Sequence, residues 1–244
     1  MKYAHIPFYR TLVSTSLKSF RVVYKETDLL ILAEKELVKE SLFLVREVRL
    51  PLETYIAKNP FFLKSLEPLP YDEEAPEMVQ KMLKAGKVAG VGPMASVAGA
   101  IAEKVGTLLI KEGYTSEVVV ENGGDIYLNL KRDAKVAIFA GESTFSGKIA
   151  LKIKKGLMPC GVCTSSGKVG HSLSWGKAEA ITVIHKDTAL ADALATAFGN
   201  MLKSSQDFQR VITKAKRLEN LWGLFCIVED QLMLWGKNIE LETL

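Results

Sequence analysis

SEVVVENGGDIYLNL, residues 116–130, joins two β-rich runs through Asn122-Gly123. An Asn-Gly pair between such runs supplies the positive-φ residues of a two-residue hairpin turn, so the runs are expected to pair antiparallel. Gly124 and Asp125 exceed what the turn requires. A glycine pair leaves backbone amides open to a ligand, and a carboxylate follows at once. The plain alternative is a tight turn and nothing more.

Further short runs, KVAIFA, GKIALKI and AITVI, follow this hairpin with links too short for crossover helices, which again predicts antiparallel pairing. Upstream, FRVVYKETDLLILAE, 20–34, reads as a hairpin turning at its polar KETD. KELVKESLFLVREVR, 35–49, has helical spacing that Pro51 is expected to end, with a second helical stretch to about Asn59. Residues 77–85, 188–204 and 206–217 are expected helices. GLFCIVEDQLMLWG, 223–236, is an expected hairpin around Glu229-Asp230-Gln231. The sum is an α+β fold of mixed or antiparallel sheets with packed helices. Helix–strand mixtures flank both halves, which leaves an internal duplication open. We read 1–244 as a single domain. The prolines and acids of EPLPYDEEAP, 67–76, mark the best place for a subdivision.

The segment 88–114, VAGVGPMASVAGAIAEKVGTLLIKEGY, is glycine-rich in front and helical behind. Pro93 suits a first helical turn, and Gly113 a helix end. Ala95, Ala98, Gly99, Ala102 and Gly106 recur at three- and four-residue steps, forming a small-residue stripe that admits another backbone. Gly99 and Ala102 are expected to touch another element. Leucine at Gly99 should overpack that contact by about 1–3 kcal/mol.

Composition excludes some functions. The chain has 244 residues, 48% hydrophobic and 25% charged, with a net charge of +4 spread among acids. No basic patch invites nucleic acid, and no run has the apolar length of a membrane span. The opening MKYAHIPFYRTLVSTSLKSF lacks an uninterrupted apolar stretch, and the three cysteines are an odd number. Both point to a cytoplasmic, reducing setting. Oligomerisation is left open.

CGVCTSSGKVGHSLSWG, 160–176, admits several chemistries. Cys160 and Cys163, with His171 and His185 downstream, fit the spacing of a structural zinc site poorly. A redox pair would need a helix start behind it, whereas Thr164-Ser165-Ser166-Gly167 reads as loop. The cysteines can equally be small buried hydrophobes beside a turn. In the remaining reading, the hydroxyls of Thr164, Ser165 and Ser166 and the close approach allowed by Gly161, Gly167 and Gly170 suit an anion or nucleotide.

DTALADALATAFGN, 187–200, is helical, with Asp187 or Thr188 able to cap it. Leu190, Leu194 and Phe198 form an apolar face. Asp192 and Thr196 are neighbours one turn apart on another face. A carboxylate and a hydroxyl so placed can hold a hard cation such as magnesium. The alternative is a solvated aspartate and a packed threonine.

Together these three stretches resemble the ApbE-like family, flavin transferases that move FMN from FAD onto a protein hydroxyl. The family's Asn-x-Gly-Gly turn looks like Asn122-Gly123-Gly124-Asp125. Its Thr-Ser-Gly loop and Ser-His look like Thr164-Ser165-Ser166-Gly167 and Gly170-His171. Its Ala-Asp-Ala-Leu-Ala-Thr-Ala helix is similar to residues 191–197. The resemblance covers about residues 88–204. It implies an ApbE-like fold and magnesium held by Asp192 and Thr196, with backbone carbonyls, beside the pyrophosphate of FAD. It also implies nucleotide contacts from Asn122, Gly123, Gly124, Asp125, Thr164, Ser165, Ser166 and Gly167, and an acceptor protein as partner. His171 is a candidate catalyst because histidine titrates near neutral pH, its alternative being a structural hydrogen bonder.

The sequence departs from the family in three places. Met94-Ala95-Ser96-Val97 stands where the family carries Ala-Lys-Gly-Tyr, so its lysine is absent. Ser172-Leu173-Ser174-Trp175-Gly176 replaces a longer Asp-Pro-x-Thr-Gly loop. The N-terminal third lacks the family's flavin-contacting motifs. Two functions follow as expectations. One is a magnesium-dependent enzyme that binds a flavin or related nucleotide and transfers or cleaves at the phosphate. The other is a non-catalytic or sulfur-handling protein that keeps the fold, with Cys160 and Cys163 as its thiols.

Overall fold

The computed structural model describes residues 17–166, 178–237 and 239–244. The chain opens with β1 (Lys18–Tyr24) and β2 (Thr27–Ala33), then α1 (Val38–Lys58), α2 (Pro60–Lys64) and α3 (Glu77–Ala89). A 3-10 turn at Pro93–Ser96 leads into α4 (Val97–Lys111). Next come β3 (Val118–Asn122), β4 (Asp125–Asn129), β5 (Ala134–Ala137), β6 (Ile149–Ile153), β7 (Cys160–Ser165) and β8 (Ala180–His185). Helices α5 (Thr188–Met201) and α6 (Phe208–Ala215) precede β9 (Leu221–Val228), β10 (Gln231–Gly236) and β11 (Ile239–Thr243).

Every strand pair is antiparallel. Eight strands form one sheet in the order β1-β2-β3-β4-β7-β8-β9-β10, and β11-β6-β5 form a second. Alternate residues of the large sheet serve two cores. On one face Ile31, Val120, Cys163 and Val183 pack under the helices. On the other, Leu32, Val119, Val162 and Ile184 pack against Val136, Leu151 and Ile153 of the small sheet. The result is three layers, an α+β architecture as expected from the sequence. The helix-side core draws residues from both sides of segment 67–76, from Phe20 to Met233.

Helix α4 lies on β3 and β4 and against α1, and α5 lies on β7 and β8 between α3 and α4. Pro93–Lys111 is long and apolar enough to cross a membrane, but half of that window is buried inside the fold. The small-residue stripe is where α4 meets its neighbours. A Cβ at Gly106 would stand 2.5 Å from the Tyr127 ring, and one at Gly99 would stand 2.5 Å from the carbonyl oxygen of Thr188.

Three local expectations need correction. Pro51 does not end a helix: α1 runs unbroken from Val38 to Lys58 with Pro51 inside. Pro51 and Glu47 are both exposed, so water can satisfy the carbonyl that loses its amide partner. Thr164 and Ser165, read as the start of a loop, instead end a strand that was not foreseen, β7, which lies in the middle of the large sheet between β4 and β8. The C-terminal strand β11, which pairs with β6, was not foreseen.

Candidate functional site

Four segments meet at one end of the helix-covered sheet face: the β3–β4 turn, the start of α4, the end of β7 and the first half of α5. Asn122 pairs with Asp125, so the two-residue turn is Gly123-Gly124 and not the expected Asn122-Gly123. Gly124 belongs to the turn and is not surplus to it. The two glycines have φ of +67° and +107°, conformations that side-chain-bearing residues rarely adopt. Glu121 fixes the turn by accepting a 2.8 Å hydrogen bond from the Gly124 amide. That amide is therefore engaged rather than open. Asn122 donates its side-chain amide to the carbonyl of Ala98 at 3.1 Å and so ties the turn to α4. The Gly124 carbonyl in turn accepts from the Thr164 amide at 3.2 Å, tying the turn to β7.

α5 is drawn against this frame by the absence of side chains. A Cβ at Gly161 would lie 2.6 Å from Thr188 Cα, and one at Gly99 would lie 2.9 Å from Asp192 Cβ. The Gly99 amide donates to Asp192 Oδ2 at 2.9 Å. Asp187 caps the helix by accepting from the Leu190 amide at 2.9 Å, as expected. Asp192 and Thr196 are only 8% and 9% exposed, which replaces the solvated aspartate of the plain reading with a buried one.

Asp125 stands opposite Cys163 in the β4–β7 register, on the helix side of the sheet. It is 9% exposed. Burial raises its pKa well above the ordinary carboxylate range, and the charge of Asp192 raises it further. Burial also lifts Asp192, to about 7, against the opposing pull of the Gly99 and Ala98 amides. Among the described residues no lysine or arginine forms an ion pair with either acid.

Strand parity sorts the hydroxyls. Ser165 shares the helix-side face with Cys163, and its Oγ is buried without a hydrogen-bond partner among the described residues. Thr164 points to the opposite face, where its hydroxyl meets that of Thr182 at 2.9 Å. Gly167, Gly170 and His171 lie outside the described residues. The structure thus brings Asn122, Asp125, Ser165, Asp192 and Thr196 to one face, and engages Thr164 elsewhere.

The cysteine readings narrow in the same way. Cys160 belongs to the core against the small sheet and Cys163 to the core under the helices, so the two thiols face away from each other. They cannot chelate one metal or form a disulfide with each other. All three cysteines are free and buried. Burial pushes Cys160 and Cys226 up to about 12 and Cys163 well above its usual value. His185 is not a metal ligand here. Its Nδ1 accepts from the Asp187 amide at 2.8 Å, which leaves Nε2–H to donate to the Glu219 carbonyl at 2.9 Å.

Sequence reasoning passed over Glu121 and Glu103, and it read Gly161 and Thr188 as a ligand-approach glycine and a possible helix cap and not as the packing contact they form. Glu121 sits in an apolar strand and Gly161 in a presumed loop, so neither carried a periodic signal. Glu103 accepts from the Thr188 amide at 3.0 Å, a contact across 85 residues that no local pattern shows.

Does this donor set fit a divalent cation? Among the described residues no group of three or more His, Cys, Asp or Glu could hold one by such side chains alone. Asp192, Asp125, the Thr196 hydroxyl and nearby backbone carbonyls are nonetheless all hard oxygen donors, and the two carboxylates are buried without a counter-ion among the described residues. That chemistry suits magnesium.

The fold is that of the flavin transferases of the ApbE-like superfamily. The chain matches flavinyl transferase ApbE of Pseudomonas stutzeri with a TM-score of 0.57 at 15% identity, over 93% of this chain and 94% of that one. Against flavin transferase ApbE of Vibrio cholerae the TM-score is 0.53 at 14% identity, covering 92% and 97%. The chain itself belongs to the family described as AbpE bacteria, whose model matches residues 10–220. It is 41% identical to UPF0280 protein MJ1526 of Methanocaldococcus jannaschii over 227 residues, 91% of each chain. It is also 40% identical to a UPF0280 protein of Methanospirillum hungatei, covering 87% of this chain and 85% of the relative.

Proposed function

We propose that this protein binds a flavin nucleotide together with magnesium at the meeting of the β3–β4 turn, the end of β7 and α5, and transfers a flavin-phosphate group to a hydroxyl of an acceptor protein. The observation that carries the reading is the burial of Asp192 beside Asp125, with the Gly99 amide on one Asp192 oxygen. An acid kept in an alanine helix, short of compensating charge, is a poor structural element and a good cation ligand. In this reading Asp192 and Thr196 hold the cation, and Asp125 adds negative charge beside them. Magnesium bound there would neutralise charge on the leaving phosphate.

The chain's own residues orient and enclose the nucleotide. Asn122 and Glu121 hold the turn in one conformation. Gly123, with nothing within 4 Å of where a Cβ would stand, leaves room for a ligand to lie against the backbone. The buried Ser165 hydroxyl offers a donor on the same sheet face as Asp125. Gly124, Thr164 and Ser166 act through the backbone that shapes this wall, and Gly167 and His171 complete the reading. The free, buried cysteines support a reducing, cytoplasmic setting. No observation favours the sulfur-handling alternative, which needs an accessible thiol.

The test is incubation of the purified protein with FAD, with and without magnesium, following nucleotide binding and AMP release, with water standing in for the acceptor hydroxyl and FMN as the other product. Magnesium-dependent binding with AMP formation supports the proposal. Absence of both overturns it.

A further inference from the structure

The geometry points to Glu103, held by Lys81, as a positioning residue that sets the start of α5 and thereby the place of Asp192 against Gly99. This rests on the reading of Asp192 as a cation ligand. Glu103 lies on α4 one turn beyond Gly99. One of its oxygens accepts from the amide of Thr188, the first residue of α5, at 3.0 Å. The other meets Lys81 Nζ of α3 at 2.6 Å. Lys81 also reaches Asp187, the cap of α5, at 3.3 Å. Three elements are therefore joined at one point, and all the charges are part-buried. The lysine stays protonated because its two acids outweigh the desolvation that pulls its pKa down.

The same start of α5 is what the site depends on. The Thr188 carbonyl accepts from Cys163 at 3.5 Å and lies where a Gly99 side chain would stand. Asp192 follows one turn later and takes the Gly99 amide. Two amides of the first turn are taken by different acids: Asp187 takes that of Leu190 and Glu103 that of Thr188. Only the second is fastened to α4, the helix that carries Gly99. Losing it removes a polar tie between the start of α5 and α4, so that the first turn of α5 relaxes within its packing on β7 and β8, and the Asp192 contact one turn later adjusts with it. Residues that orient a metal ligand from behind typically govern metal affinity by about 10–100-fold.

Glu103 borders a cavity of ≈ 120 Å³ whose walls combine Glu77, Lys81, Lys104 and Thr107 with Met78 and Ala100. Water can therefore enter when the side chain is shortened, and the fold should survive. The experiment compares Glu103→Ala, Glu103→Gln and Lys81→Met with a control, Lys104→Met, whose partner Glu77 is an exposed residue on the same α3–α4 seam. The first readout is the Gly99 backbone amide resonance in the protein without nucleotide, which reports the bond to Asp192. It should move in Glu103→Ala and Lys81→Met, move less in Glu103→Gln, which keeps an acceptor for Thr188, and stay in the control. The second is magnesium-dependent FAD affinity by calorimetry, expected to fall about tenfold in Glu103→Ala. An unmoved Gly99 resonance in Glu103→Ala overturns the positioning role, even if the melting temperature drops. Wild-type protein that binds no nucleotide while the resonance moves as described leaves the positioning intact and removes the cation-site reading instead.

Discussion

Gly99→Ala tests the packing that builds the site. The substitution sets two effects against each other. Alanine favours a helix over glycine by about 1 kcal/mol, and Gly99 lies inside α4. The new Cβ, however, would lie 2.5 Å from the Thr188 carbonyl oxygen, 2.9 Å from Asp192 Cβ and 3.1 Å from the Thr188 carbonyl carbon. Carbon contacts are at their best near about 3.5–4.0 Å, so α4 and α5 must separate by about 1 Å. The nearest atoms are backbone on a helix pinned to β7 and β8, and they cannot rotate away. Overpacking of this kind costs about 1–3 kcal/mol. The separation also stretches the Gly99–Asp192 hydrogen bond, of a class worth about 1.5–3 kcal/mol when one partner is charged. Overpacking and the weakened bond exceed the helix gain, and the expected net loss is about 2 kcal/mol. For a chain of this size that is a fall of about 4–8 °C in melting temperature. Gly156→Ala is the control: it has nothing within 4 Å and no positive φ, and should stay within about 0.5 kcal/mol of wild type. Urea and thermal unfolding followed by circular dichroism measure both. A Gly99→Ala protein as stable as wild type, or more so, would refute the close approach of α5 to α4.

Three further outcomes follow from the same geometry. Asp192→Asn keeps an acceptor for the Gly99 amide but removes the charge, so calorimetry should show magnesium no longer tightening FAD binding; Thr196→Val should weaken that effect only in part, because water can replace a neutral oxygen around magnesium. Equal affinities for wild type and Asp192→Asn in magnesium would end the metal reading. Asp192 is raised from 3.8 to about 7 by burial, so between those values it is more protonated in the folded state than in the unfolded chain, and its own contribution to stability without cation should fall as pH rises through that window. The difference in stability between wild type and Asp192→Asn isolates this contribution from His185 and the carboxylates whose lowered pKa values act in the opposite sense; a difference that does not change between pH 4 and pH 7 would contradict the burial of this acid. The three buried thiols should resist a water-soluble disulfide reagent in the native state and all react in denaturant, and fast labelling of any one in the folded protein would revive the thiol chemistry set aside here.

Local chemistry wrote some elements plainly and left others invisible. The hairpin was announced because only residues tolerant of positive φ can make such a turn, although the pair that takes it is Gly123-Gly124 and not the expected Asn122-Gly123. Strand β7 was hidden for the opposite reason. Both of its faces are buried, so it shows no polar–apolar alternation, and its Gly161 and small side chains imitate a loop. Gly161 is there because Thr188 leaves no room for a Cβ, a demand made by a helix 27 residues later. Pro51 misled in a similar way. The rule that proline ends a helix holds where the freed carbonyl is buried, and here it faces water.

The candidate site was legible as spacing and illegible as environment. Asp192 and Thr196 could be put on one face of a helix from their four-residue separation, but that alone did not separate a ligand pair from a solvated one. The missing information was present in their surroundings. Residues 189–199 contain only small and apolar side chains apart from these two, and a helix apolar on every side is a buried helix. A carboxylate carried into such a position loses its water and needs a replacement. The structure supplies the Gly99 amide, donated from 93 residues away, and next to it places Asp125, a second buried acid that makes the deficit worse. No packing requirement explains putting two acids there, since two neutral side chains of the same shape would be more stable. The arrangement is intelligible when a cation is part of the working site, and that is why the burial of Asp192, more than the resemblance of any motif, carries the functional reading.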